Sequence, residues 1–148
     1  MNKIRFRQAL YDVDGKFVEW HYWGFWDQGL FLTFFAPARD PETAQENSYQ
    51  FIDDLQDNDG NDIYENDIVE LHNPNETHTS YKSPVFFGSL GATVLYHPAH
   101  VKAMGYKDRG RLLKDYIRSG GNFLCRVIGN IVENPELLND NQDVKNEG

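Results

Sequence analysis

The 148-residue chain has one cysteine, Cys125, so no intrachain disulfide framework can hold it, and a lone thiol fits a reducing compartment. It is short of basic residues: 14 Lys and Arg stand against 23 Asp and Glu, for a formal net charge of −9. Such a surface favours solubility and opposes a nonspecific grip on nucleic acid or anionic lipid, while leaving room for a local basic patch. No apolar run approaches the length of a membrane span. Met1 to Leu10 alternates charged and apolar residues and lacks the apolar stretch of a signal peptide. There is no glycine-rich loop followed by lysine to cradle a phosphate, and no serine in a recognisable nucleophile motif. The lone thiol leads us to expect a cytoplasmic protein, the length suits one domain, residues 1–138, and the polar, mostly acidic end reads as a flexible tail, 139–148.

What is present is aromatic and β-forming. Phe, Trp and Tyr make up 14% of the chain, which suits strands and large buried contacts. Ile4-Arg5-Phe6-Arg7 alternates as a half-buried strand does. Asp12-Val13-Asp14-Gly15 then reads as a hairpin turn. Phe17 to Trp26 reads as a strand, with Val18, Trp20 and Tyr22 on one side and Trp20 and Tyr22 in the core. A turn at Gln28-Gly29 leads to Leu30–Phe35, a run apolar enough to be covered on both faces. These pieces predict an N-terminal antiparallel meander. Further strands are expected at Ile68–Leu71, Val85–Phe87, Ala92–Tyr96 and Phe123–Val132, with a polar loop over His72–Pro84. One short helix is expected near 107–119, where Leu112, Leu113, Tyr116 and Ile117 share a helical face and Gly120 ends it. Asn134-Pro135 predicts the cap of a last helical turn.

Several residue groups invite a chemical reading. Asp53, Asp54, Asp57, Asp59, Asp62, Glu65 and Asp67 crowd one segment. With Gly60 at the sixth position of a calcium loop, Leu55 and Asn66 fall where the anchoring ligands belong, so the segment reads as a turn with solvated carboxylates. Carboxylates at this density could also hold a divalent ion for phosphodiester hydrolysis. His97-Pro98-Ala99-His100 has chelating spacing, but Pro98 opposes a helix through it and no further ligand pair completes a tetrahedral site. Cys125 alternates with Phe123 and Val127, as a core thiol would. Lys107, Arg111, Lys114 and Arg118 recur at steps of four, three and four and would line one stripe of the helix, with Lys102 and Arg109 nearby. The stripe suits an acidic partner surface, or is simply a solvated face. Trp23 points opposite to Trp20 and, if exposed, would mark an interface.

Two segments are long and specific. Leu55, Asp57, Gly60, Ile63, Tyr64, Glu65, Asp67, Ile68 and Val69 form the first, and Ile128 to Leu138 the second. With Ile4-Arg5-Phe6-Arg7 they resemble the YopX family, small proteins of phages and prophages. Asp54 and Asn66 stand where that family often has glycine. The resemblance implies a mainly β fold, an SH3-type barrel or roll, and brings no catalytic residues with it. The function expected is a non-enzymatic binding or interaction module without cofactor or metal. Its partner would be a protein or a second copy in a homo-oligomer, rather than nucleic acid or membrane. The alternative is a metal-dependent enzyme acting on nucleic acid through the acidic loop 53–67.

Overall fold

The computed structural model describes residues 4–28, 31–38, 43, 47–74, 79–88, 90–99, 110–118 and 123–139. The turn at Gly29, His78, His100, Lys102, Lys107, Arg109, Gly120 and the tail 140–148 lie outside them. The chain divides into two compact units, residues 1–54 and 55–148.

In the first unit, β1 (Arg5–Tyr11), β2 (Phe17–Gln28) and β3 (Phe31–Phe35) form the expected antiparallel meander. β4 (Tyr49–Gln56) returns to pair with β1, giving the order β3-β2-β1-β4, the Greek-key arrangement. The β1–β2 hairpin is closed by Asp12, whose Oδ1 accepts the N–H groups of Asp14 and Lys16, both at 2.9 Å. Gly15 supplies the positive φ, 79°, that the turn needs.

Residues paired across antiparallel strands share a face. On one face lie Arg5, Arg7 and Ala9 with Trp20, Tyr22 and Tyr49. Both arginines are buried, Arg5 between two aromatic rings and Arg7 over one. The Arg5 guanidinium lies 4.3 Å from the Trp26 ring centroid and 3.7 Å from that of Phe51, and Arg7 lies 4.2 Å from that of Trp20. The opposite face carries Phe6, Gln8, His21 and Trp23, and the β3–β4 connection is tied to it. His21 Nε2 donates to the Ala36 carbonyl at 2.8 Å, the Ala38 N–H donates to Gln8 Oε1 at 2.7 Å, and Trp23 Nε1 donates to Ser48 Oγ at 2.8 Å.

Two expectations for this unit are corrected. Tyr22 is exposed and Trp20 only half-buried, so neither lies in the core; Arg5, Arg7 and Ala9 hold the buried places on that face. The Leu30–Phe35 run is not covered on both faces: Phe34 and Phe35 are 53% and 43% exposed, since β3 is the outer strand.

The second unit contains β5 (Asp62–Tyr64), β6 (Asp67–His72), β7 (Tyr81–Pro84), β8 (Phe86–Gly88), β9 (Gly91–Leu95), β10 (Gly110–Leu112), helix α1 (Leu113–Arg118), β11 (Leu124–Asn130) and a 3-10 turn, Pro135–Asn139. One antiparallel sheet has the order β11-β6-β7 and another β10-β9-β8. Ile63, Ile68, Val69, Leu71, Val85, Val94, Leu113 and Cys125 form its core. Buried Ser83 of β7 links the two sheets: its Oγ accepts the Leu95 N–H at 2.8 Å, and the Tyr81 hydroxyl donates to the Leu95 carbonyl at the same distance. The described residues are thus mainly β, with antiparallel sheets, the short helix α1 and, against the expectation for Pro98, helical residues at 98–99, and among them no barrel closes.

The helix is shorter than its periodicity predicts. Gly110–Leu112 pairs with Thr93–Leu95 as a strand, and α1 starts only at Leu113. Glycine at 110 fits this pairing and disfavours helix: a Cβ there would stand 2.2 Å from Thr93 Cγ2 and 2.8 Å from the Val94 carbonyl oxygen. β7 likewise occupies the end of the segment read as a polar loop, its alternation of buried Tyr81 and Ser83 hidden by their polar atoms.

Candidate functional site

The two specific segments meet. Asp57-Asn58-Asp59-Gly60-Asn61 forms the same turn as Asp12-Val13-Asp14-Gly15-Lys16. Asp57 Oδ1 accepts the N–H groups of Asp59 at 3.0 Å and Asn61 at 2.8 Å, and Gly60 has φ 81°. The first turn projects into solvent, with Val13 98% exposed. The second is docked on β11. Asp57 Oδ2 accepts the Val127 N–H at 2.9 Å and the Asn61 side-chain amide at 3.2 Å. The Asn58 N–H donates to the Cys125 carbonyl at 2.9 Å, while Asn58 Oδ1 accepts the Cys125 N–H in a short bond. Asn58 Nδ2 reaches the Phe123 carbonyl at 3.3 Å. Asp59 and Arg126 add an ion pair at 3.0 Å, about half exposed on both sides and therefore worth little, under about 1 kcal/mol.

A second junction lies at the other end of β6. Asn66 has φ 67°, the left-handed conformation that glycine or asparagine tolerates. Its N–H donates to the Val85 carbonyl at 2.6 Å and its carbonyl accepts the Ile131 N–H at 3.0 Å. Asp67 Oδ2 accepts the Tyr64 N–H at 2.8 Å, closing the turn between β5 and β6. Across from Asp67, buried Asn130 organises the end of β11. Its Oδ1 accepts the N–H groups of Val132 at 3.0 Å and Glu133 at 2.8 Å, and its Nδ2 donates to Glu133 Oε2 at 2.9 Å. Gly129 is needed for close approach: a Cβ would stand 2.5 Å from Asn134 Oδ1.

The electrostatics follow from these bonds. Burial acts to raise the Asp57 pKa, but the N–H groups of Val127 and Asn61, the Asn61 amide and the Asp59 N–H outweigh it, so the net shift is downward. Burial first, and the Asp57 carboxylate second, push the Cys125 thiol up to about 12. Cys125 is thus a buried, protonated thiol on β11. Beside it, about 260 Å³ of space opening to solvent is lined by Gln56, Asp57, Asn58, Ile117, Phe123 and Cys125. The cavity itself is about 70 Å³, far below the range of about 300–1,000 Å³ of small-molecule sites.

Within the acidic segment, the carboxylates of Asp57 and Asp67 face backbone N–H groups and Asp62 accepts from Gln56 Nε2 at 3.2 Å. The side chains of Asp53 and Asp54 are outside the described set. Among the described residues no three His, Cys, Asp or Glu side chains gather as a metal site. His97 is buried, its ring edge-on to Tyr81 at 5.0 Å and its Nδ1 accepting the Ala99 N–H at 3.0 Å.

The basic stripe does not form as one helical face. Arg111 lies in β10 opposite Val94, while Lys114 is exposed on α1. Arg118 ends the helix with its side chain outside the described set, and Lys107 lies outside the described residues altogether. Trp23 is half-buried and stacked on Phe6, ring centroids 4.3 Å apart, with its indole N–H bonded to Ser48. Sequence reasoning missed the docking of the Asp57 turn on β11. The signal available was the recurrence of Asp-x-Asp-Gly with a polar Asn58 at the tip in place of Val13.

This architecture defines a small antiparallel β protein whose signature residues fasten turns to strands. The model of the family described as YopX protein matches residues 42–139, more than half of the chain, and the chain belongs to that family. The match takes in both junctions and leaves β1, β2 and β3 outside it. No curated protein and no solved structure matches the chain.

Proposed function

We propose that this YopX protein is a non-enzymatic interaction module, encoded by a phage or prophage and acting in the host cytoplasm, with its second unit an SH3-type roll. One observation carries the reading. The polar residues that mark the family, Asp57, Asp67, Asn130 and Asn134, are engaged with backbone groups of neighbouring turns and strands. Residues spent in this way build a scaffold, and recognition is left to exposed side chains. Exposed Lys114 and half-buried Arg111 supply a basic surface on an acidic chain, suited to an acidic protein partner.

The reading is tested by thermal melts in EDTA, Mg²⁺, Ca²⁺ and Zn²⁺. An interaction module keeps one Tm throughout. A large shift specific to one metal would favour metal-dependent chemistry at the acidic segment. Partner capture from infected lysate, repeated with Arg111→Glu and Lys114→Glu, then locates the surface: a salt-sensitive partner lost in both variants supports it.

A further inference from the structure

The sequence holds two Asp-Gly steps, Asp14-Gly15 and Asp59-Gly60, and each lies in the same kind of turn. At such a step the aspartate carboxyl carbon and the next backbone nitrogen are close in the chain, and glycine has no Cβ to keep them apart. Beyond its chain neighbours, a Cβ at either glycine would meet no atom within 4 Å, so the surroundings shield neither step. Each glycine N–H is bonded to the carbonyl of its turn's first aspartate, Gly15 to Asp12 at 3.0 Å and Gly60 to Asp57 at 3.1 Å. The local chemistry is therefore the same in both places.

The anchorage differs. The first turn is held by its own bonds: Asp12 Oδ1 accepts from Asp14 and Lys16, and the Asp12 N–H donates to the Lys16 carbonyl at 2.8 Å. Asp14 is exposed, and among the described residues no bond holds its carboxylate. The Asp59 carboxylate instead accepts from Arg126 Nε at 3.0 Å, and its turn is fixed to β11 through Asp57 and Asn58. Opening the first turn breaks local bonds alone, whereas opening the second also breaks those to β11, so the first opens more often.

We propose that Asp14-Gly15 is a site of spontaneous isoaspartate formation in the folded protein, and that docking on β11 protects Asp59-Gly60 from the same reaction. The Gly15 nitrogen attacks Cγ of Asp14 in its acid form. The N–Cγ bond forms, the nitrogen gives up its proton, the Cγ–OH bond breaks and one water leaves, giving a cyclic succinimide. Water then adds to one of the two ring carbonyls. Cleavage at Cγ restores aspartate, and cleavage at the main-chain carbonyl carbon routes the backbone through Cβ. The sum is an isomerisation without change of mass, and it needs no oxidant, reductant or co-reactant beyond solvent. The product places an extra backbone carbon between Asp12 and Lys16, which misaligns the bond from the Lys16 N–H to Asp12 Oδ1 and loosens the β1–β2 hairpin.

The test is prolonged incubation of the folded, full chain in mildly acidic buffer, followed by peptide mapping. Isoaspartate is read as a second peptide form of equal mass that accepts a methyl group from S-adenosylmethionine in the presence of an isoaspartyl methyltransferase. The Asp14 peptide should convert at least about tenfold faster than the Asp59 peptide, the ratio that about 1.4 kcal/mol of extra opening cost gives. In urea, where neither turn is docked, the two should convert at comparable rates. An Asp14 peptide that stays in one form overturns the proposal, as does an Asp59 peptide that keeps pace with it in the folded chain. A tenfold gap that persists in urea also overturns it, because the difference would then lie in the flanking sequence and not in the docking.

Discussion

Asp57 accepts the backbone N–H of Val127 at 2.9 Å, across 70 positions of sequence. One carboxylate oxygen closes a hairpin turn and the other holds that turn against β11. A turn chemistry that is local at Asp12 is therefore long-range at Asp57.

Replacing Asp57 should be costly. Asp57→Ala strips the partner from the N–H groups of Asp59, Asn61 and Val127 at a buried position. Hydrogen bonds to a charged group and the cost of orphaned donors put the loss at about 2–4 kcal/mol. Urea unfolding should show a lower midpoint with an unchanged slope. Asp12→Ala, in the solvent-facing copy of the turn, should lose about 1 kcal/mol or less.

The same carboxylate makes stability depend on pH. Its pKa is lower in the folded chain than the ordinary value of about 3.9 in the unfolded one. Its contribution is therefore complete above that value and lost as pH falls through the folded pKa. Stability measured from pH 6 downward should fall for the wild type near and below pH ~4. For Asp57→Asn this component should be missing, so the gap between the two proteins narrows with acidification.

Asn66 occupies a left-handed position at φ 67° with both backbone groups hydrogen-bonded. Asn66→Gly keeps those bonds and removes the side-chain constraint, so its stability should stay within about 1 kcal/mol of wild type. Asn66→Ala should lose about 1 kcal/mol, the cost of that conformation for a residue with a Cβ and no local hydrogen bond. Tm values of the two variants check the ordering.

Cys125 should be inert while the protein is folded. Its thiol is buried and its pKa is pushed up to about 12, so almost no thiolate exists at pH 8. Labelling with a thiol reagent should be slow in buffer and fast in urea. Rapid labelling of the folded protein would contradict the placement of β11.

Much of the fold is legible along the chain because turns and strands are local. Asp12-Val13-Asp14-Gly15 and Asp59-Gly60 announce turns, and both are found. The strands of the meander follow from their aromatic and β-branched content. The errors arise where tertiary neighbours decide. Arg5 and Arg7 read as the wet side of β1, yet Trp20, Trp26 and Phe51 enclose them. Gly110 weakens a helix on paper, and its close approach to Thr93 and Val94 turns that segment into a strand. Of the candidate site, Asp57, Gly60, Asp67 and Asn130 were visible within motifs, and Asn58 and Val127 were not. The roles were hidden as well, because Asn58, Asp57 and Val127 meet only in the folded chain.

The measurement closest to the central claim, that the Asp57 turn is locked on β11, is native-state amide exchange at Val127. In the wild type its N–H should exchange slowly, as a bonded strand amide does. In Asp57→Ala it should exchange much faster, while amides of Val69 and Leu71 at the centre of β6 stay protected. A Val127 amide that exchanges freely in the wild type, or that ignores the loss of Asp57, would contradict the account.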